Sequence, residues 1–303
     1  MSATLVTGGM GYTGRKIVAQ LEAEGKQVIN YNRDYSEHQT DLVTPVQGEL
    51  YDIPRLVRVI EKYDVDRIIH TAAMSHPDLS IDLPITTVAA NIDGTVALME
   101  AMRLAGIKNL VNFSSETVYG NCPTPIDEDS PTNPTTPYGV TKLAIEHFGR
   151  VYNELYGLQV KALRFSEVYG PGNKMPQILR DIIKAVHNDQ PFRQENGADH
   201  LFHFIHADDV ARAAIRASQA ENTRSSVFNI FGDRAWTLAE AVSVLRTMLP
   251  ANAIIEIGPG FTHLDRQGPW SQELAKTQLD YKASISFEKG LSQYVEWLRT
   301  NQY

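Results

Sequence analysis

Cysteine is almost absent: Cys122 is the only one in 303 residues. An internal disulfide is therefore impossible, which fits a reducing compartment such as the cytoplasm. Cys122 precedes Pro123 in a turn-rich stretch and carries no chemistry in this reading. No apolar run approaches the ~20 residues that a membrane helix needs. Met1-Ser2-Ala3-Thr4 leads straight into a strand, with no signal-peptide pattern. Basic charge is in deficit: 28 Lys and Arg against 36 Asp and Glu leave a net charge of −8. An acidic surface disfavours nucleic acid or an anionic membrane as partner, so a small-molecule substrate is expected. Repeats and low-complexity segments are missing as well. What remains is an ordinary globular composition, long enough for one large α/β domain or two lobes.

The richest stretch present is Tyr138-Gly139-Val140-Thr141-Lys142. Four-residue spacing puts Tyr138 and Lys142 on one helical face. A free phenol titrates near 10, and a neighbouring ammonium pulls that value down. Reaching about 7 takes roughly 4 kcal/mol of differential interaction. The product is a base able to take a hydroxyl proton while hydride leaves the same carbon. Pro137 is placed to start this helix.

At the front of the chain, the β-branched run Thr4-Leu5-Val6-Thr7 stops at Gly8. Gly8, Gly11 and Gly14 follow at three-residue spacing before the helical pattern Ile17, Val18, Leu21. A strand, a glycine turn and a helix N-terminus in that order form a site for a dinucleotide pyrophosphate. The next strand ends at Asn32-Arg33, roughly 20 residues past the glycines, where an acidic residue would hold the adenosine ribose of NAD. Asn in that place, with Arg beside it, tilts the expectation towards NADP, although Asp34 is close enough to undo it. Glu49 is expected beside the adenine. The strand Arg67–Thr71 runs into Ala72-Ala73, small residues that leave room for a flat ring. His70 reads as a packed or cofactor-facing histidine rather than a base. Asn91 interrupts an otherwise apolar helical face, which suggests a buried hydrogen bond. Leu110–Phe113 is another strand, ending in Ser114-Ser115 on the same edge as the glycine turn. Asp208-Asp209 reads as the start of a capped helix. His200, His203 and His206 recur every three residues, but Leu201–Ile205 alternates like a strand and no cysteine joins them, so no metal is expected.

Six motifs together make the chain resemble an extended short-chain dehydrogenase/reductase of the epimerase/dehydratase type. They are Thr7–Gly14, His70–Ala73, Asn91, Ser114–Gly120, the Tyr138/Lys142 pair, and Arg164–Gly172. The resemblance implies a doubly wound parallel sheet, a Rossmann fold of class α/β, with a smaller C-terminal substrate lobe. Expected boundaries are 1–167 for the dinucleotide-binding domain and 168–303 for the lobe, interleaved with late sheet strands. It implies that Tyr138 is the acid/base, that Ser115 shares the substrate hydroxyl, and that Lys142 binds the nicotinamide ribose. Cofactor contacts are expected from Gly8, Met10, Gly11, Tyr12, Gly14, Asn32, Arg33, Glu49, Leu50, Thr71, Ala72, Ala73, Asn91, Phe113, Lys142, Phe165 and Val168. A homodimer through the helices carrying Asn91 and Tyr138 is also implied.

Departures from the family pattern bear on the substrate, whose expected contacts are Ser75, Glu116, Thr117, Glu167, Phe202 and Arg266. Glu116-Thr117 stands where the family's dehydratases have Asp-Glu, and Thr117 cannot act as the second base. Glu167 stands where nucleotide-sugar members usually have Asn, and a carboxylate there repels a diphosphate. Phe202 stands where a phosphate-binding Arg is usual, leaving Arg266 as a candidate anion contact. These departures point first to an NAD(P)-dependent oxidoreductase acting on a secondary alcohol of a small sugar, polyol or hydroxy acid. The alternatives are a nucleotide-sugar 4-epimerase and a catalytically silent cofactor sensor.

Overall fold

The computed structural model describes residues 2–301, so Met1 of the strand-entry expectation lies outside the described residues. Seven parallel strands form the central sheet: β1 (Ala3–Thr7), β2 (Val28–Asn32), β3 (Val43–Gln47), β4 (Val65–His70), β5 (Asn109–Ser115), β6 (Gln159–Phe165) and β7 (Val227–Ile230). Their order is β7-β6-β5-β4-β1-β2-β3. Both β1 and β2 are buried along their whole length, as expected of strands covered on two faces. Strand order reverses between β1 and β4, which opens a crevice at their C-terminal ends. The α/β doubly wound sheet expected from the sequence is therefore present.

Three local features differ from the sequence reading. Strand β3 was not anticipated, because Pro45 sits in it; β3 is an edge strand, where proline costs no ladder bond on its open side. The helix around Asn91 is not regular. It holds a π turn, Ala89–Asp93, between Pro84–Val88 and Gly94–Ala105. The expected strand Leu201–Ile205 is two short ones. Leu201–Phe202 pairs with Trp236–Thr237, and Ile205–His206 pairs with Val168–Tyr169. Between them the His203 carbonyl accepts the Ser166 hydroxyl and the Phe204 carbonyl accepts Gly232 N–H, so the backbone leaves the ladder.

Helix Ala207–Gln219 packs on the sheet beside helix Tyr12–Ala23. Its cap is His206, not an aspartate. Asp209 is buried and receives Ser284 and Ile285 N–H, pinning the later chain to this helix. A separate apolar cluster joins Leu179, Ile182, Phe204, Trp236, Leu245, Phe287 and Leu291 in the C-terminal part. Among the described residues, no helix is long and apolar enough to cross a membrane.

Candidate active site

The crevice at the sheet's C-terminal edge widens into one cleft of about 1520 Å³. At its floor the chain turns through the glycines. Gly8 has φ +71°, and a Cβ there would sit 2.7 Å from the Ala72 nitrogen. A Cβ on Gly14 would sit 2.2 Å from the Gly8 carbonyl oxygen, so the turn and helix close only around hydrogen. Gly11 caps the following helix without any side chain bonding its free N–H groups. Those donors and the bare backbone surface fit a pyrophosphate. Asn32 is committed internally: its Oδ1 accepts Met10 N–H at 3.0 Å and its Nδ2 donates to Asn30 at 2.6 Å. Arg33 is exposed at the rim, 3.9 Å from the Asp34 carboxylate. Tyr12 donates to the Gly170 carbonyl at 3.0 Å, tying the turn to the segment after β6.

Neutral histidine chemistry holds the β4 end. Thr95 donates to the Asn91 carbonyl, so its oxygen accepts His70 Nε2–H at 3.0 Å. His70 Nδ1 then accepts the Thr7 hydroxyl at 2.6 Å. Burial holds His70 down at about 3, so this ring bridges β1 and the Asn91 helix and moves no proton. Asn91 accepts Met74 N–H and donates to the Met74 carbonyl and to Thr141. It thus shapes the cleft from behind without lining it, and the π turn is what aims it there.

The end of β5 delivers Ser115, and helix Pro137–Tyr156 delivers Tyr138 and Lys142. That helix starts at Pro137, as its position implied, with Thr136 capping Gly139 N–H at 3.1 Å. The Ser115 hydroxyl lies beside the Tyr138 phenol and favours its ionised form. Thr117 donates to the Ser115 oxygen at 3.0 Å, which leaves the serine proton for the phenol oxygen. Lys142 Nζ donates to the Phe113 carbonyl at 2.6 Å and stands 5.4 Å from the Tyr138 ring centroid. The expected lowering of the phenol is not found in the protein alone. Burial pushes Tyr138 up to about 12, with Glu116 adding to the rise and Ser115 opposing it. Burial pulls Lys142 itself down to about 8.

Glu49, Leu50, Thr71, Ala72, Ala73, Phe113, Phe165 and Val168 line the cleft, with Phe113 and Phe165 rings 4.5 Å apart. Ser75, Glu116, Thr117, Glu167 and Phe202 line it as well. Gly14 and Arg266 do not line the cleft. The Arg266 guanidinium lies 3.7 Å from the centroid of the Phe261 ring, which itself lines the cleft. Sequence reasoning missed Gln177, Asp181, Gln194, Asn196 and Phe261–Leu264, which reach the cleft from distant segments without any motif. His200 meets Thr262, His203 packs on Phe231 and Trp270, and His206 lies against Tyr169, so the three rings are separated.

Two carboxyls face the cleft. Glu116 is pushed well above its ordinary 4.5 by burial, then by the charges of Glu167 and Asp265. Burial also raises Glu167, against relief from Gln177, whose amide donates to it at 2.8 Å, and from His76. Folded values above the unfolded 4.5 mean stability that is complete below that pH and lost as pH rises through the raised values. Glu116→Gln and Glu167→Gln are each expected to melt higher than the parent near neutrality, by roughly 1.5 °C for each kcal/mol relieved. The gain should shrink to nothing as pH falls to about 4.5. Melting curves across that range decide it; a difference independent of pH would exclude the carboxyls as its source.

The comparisons agree with this geometry. Residues 4–230 match the model of the NAD dependent epimerase/dehydratase family. UDP-glucuronate 4-epimerase of Thermodesulfobacterium geofontis is 27% identical over 317 residues, covering 99% of this chain and 97% of the relative. UDP-glucose 4-epimerase of Halalkalibacterium halodurans is 31% identical over 281 residues, covering 85% and 83%. The structure of MoeE5 in complex with UDP-glucuronic acid and NAD superposes with a TM-score of 0.87 at 28% identity, covering 99% of both chains. With a glycine turn that admits only backbone, a Ser–Tyr–Lys cluster beside it and a match spanning most of its length, this chain belongs to the NAD dependent epimerase/dehydratase family.

Proposed function

We propose that the chain is an NAD-dependent 4-epimerase of a nucleotide-linked sugar. The observation that carries this is the reach of the cleft. Its volume of about 1520 Å³ includes the dinucleotide site, so what discriminates is how far it continues beyond Tyr138. It runs from the glycine turn past Tyr138 to Gln194, Asn196 and Phe261, residues that a small polyol at Tyr138 has no need of. Relatives named as UDP-sugar 4-epimerases support the same choice over the small alcohol that the sequence first favoured.

The bound nicotinamide supplies the hydride acceptor. Tyr138 takes the proton of the sugar hydroxyl and later returns it. Ser115 holds the same oxygen, and Lys142 contacts the nicotinamide ribose. Gly8 and Gly11 accommodate the pyrophosphate, and Gly14 lets the helix close on their turn. Thr117 lacks the proton-transfer chemistry a dehydration needs, which favours epimerisation. Asp34 beside Arg33 places a carboxylate at the ribose rim and supports NAD over NADP. The exposed Ile85, Val88, Val140, Phe148 and Leu155, on the Asn91 and Tyr138 helices, support a homodimer through those helices.

A second reading, dehydrogenation of a small uncharged alcohol, draws on one observation. The Arg and Lys side chains lining the cleft are Arg15, Arg33 and Lys142, whereas Glu116, Glu167 and Asp181 line the substrate side. One experiment separates the two. The chain is incubated with NAD or NADP and with UDP-glucose, UDP-glucuronate or free polyols, while nicotinamide absorbance and sugar NMR are followed. Inverted sugar with NAD and no net absorbance change is expected, from a protein that sediments as a dimer. Stoichiometric reduced cofactor from polyols alone selects the second reading, and no reaction with either class sinks both.

A further inference from the structure

Three consecutive residues of β5 meet three helix residues spaced four apart. The Phe113 carbonyl accepts Lys142 Nζ at 2.6 Å, the Ser114 hydroxyl donates to Glu146 Oε1 at 2.5 Å, and Ser115 lies beside Tyr138. Glu146 lies one turn beyond Lys142, buried beneath the cleft and absent from its lining. Its carboxylate is gripped by the Arg164 fork, Nε to Oε1 at 2.9 Å and Nη2 to Oε2 at 2.7 Å. Arg164 Nη1 donates in turn to the Tyr119 hydroxyl at 2.8 Å and the Glu128 carbonyl at 3.2 Å. Tyr119 donates to Asn229 on β7 at 2.7 Å. One buried ion pair therefore fastens the Tyr138 helix to β5, β6 and β7 at once. A bidentate pair of this kind fixes direction as well as distance.

We propose that Glu146, clamped by Arg164 and Ser114, is a positioning residue that locks the Tyr138 helix in register with β5 and holds a negative charge beneath Lys142. The inference rests on the proposed reaction only for its use of Lys142. The groups facing Lys142 are Tyr138 and Glu146 on its own helix, His70 from β4 and the Phe113 carbonyl from β5. His70 stays neutral, so Glu146 is the anion opposing the burial that pulls Lys142 down to about 8. Without Glu146 the ammonium is opposed by burial and by the uncompensated Arg164.

The test is the Lys142 titration in the full chain, read by NMR of isotope-labelled lysine and assigned by the signal missing from Lys142→Met. Glu146→Gln is expected to move the midpoint down by roughly one pH unit or more. Leaving Arg164 buried alone endangers folding, so Glu146→Gln with Arg164→Met is the second variant; replacing both partners of a buried pair is commonly tolerated. Its midpoint should fall between those of the parent and the single variant. An unchanged midpoint in either folded variant overturns the proposal and leaves Glu146 a packing residue. The readout needs no substrate, so a chain that epimerises nothing still answers it.

Discussion

Tyr138→Phe is expected to lower turnover by about 10²–10⁴-fold while leaving NAD affinity unchanged. The substitution keeps the ring, which is buried, and removes the hydroxyl beside Ser115. The helix start is unaffected, because Tyr138 N–H is held by the Ser80 hydroxyl at 3.0 Å and Thr136 caps the turn. Ser115 retains the Thr117 donors, so little stability is lost. What disappears is the group able to take a proton from a sugar oxygen and give it back. Sugar NMR of turnover and NAD titration of the same sample separate the two effects. A variant that keeps turnover within about tenfold of the parent would show that Tyr138 is not the base.

Gly14→Ala is expected to abolish the stabilisation that NAD confers, with an affinity loss of at least ~100-fold, or roughly 2.7 kcal/mol. The added methyl would lie 2.2 Å from the Gly8 carbonyl oxygen and 2.7 Å from the Gly9 Cα. Both neighbours are backbone of the turn itself, so relief requires the turn to open away from the helix N-terminus. Overpacking of this sort costs about 1–3 kcal/mol of stability, which lowers the melting temperature without preventing folding. The decisive comparison is the melt with and without NAD. In the parent, saturating NAD raises the midpoint by mass action. In the variant, the two curves should coincide. An undiminished NAD shift would remove the glycine turn from the binding site.

Residues close in sequence carried most of what was legible. The glycine turn, the β5 end and the Tyr138 helix each combine a local pattern with a local constraint: Gly8 needs positive φ, Gly14 needs bare backbone, Pro137 starts a helix. Strand β3 escaped because Pro45 is tolerable only at a sheet edge, and edge position depends on strand order. The Asn91 hydrogen bond was legible as a break in an apolar face, but its partners Met74 and Thr141 were not.

Short-range spacing by itself determined the glycine turn and the Tyr138/Lys142 pair, while the fold class and the place of Ser115 beside that pair followed from the family resemblance that six motifs carry together. Tertiary structure alone decided how those groups are charged and how far the cleft extends. Burial, a property of the packed molecule, raises Tyr138 to about 12 and lowers Lys142 to about 8, opposite to what a pairwise view of the two side chains gave. Gln194, Asn196 and Phe261 join the cleft across long stretches of chain, because only the packing of the C-terminal strands brings them over the sheet edge.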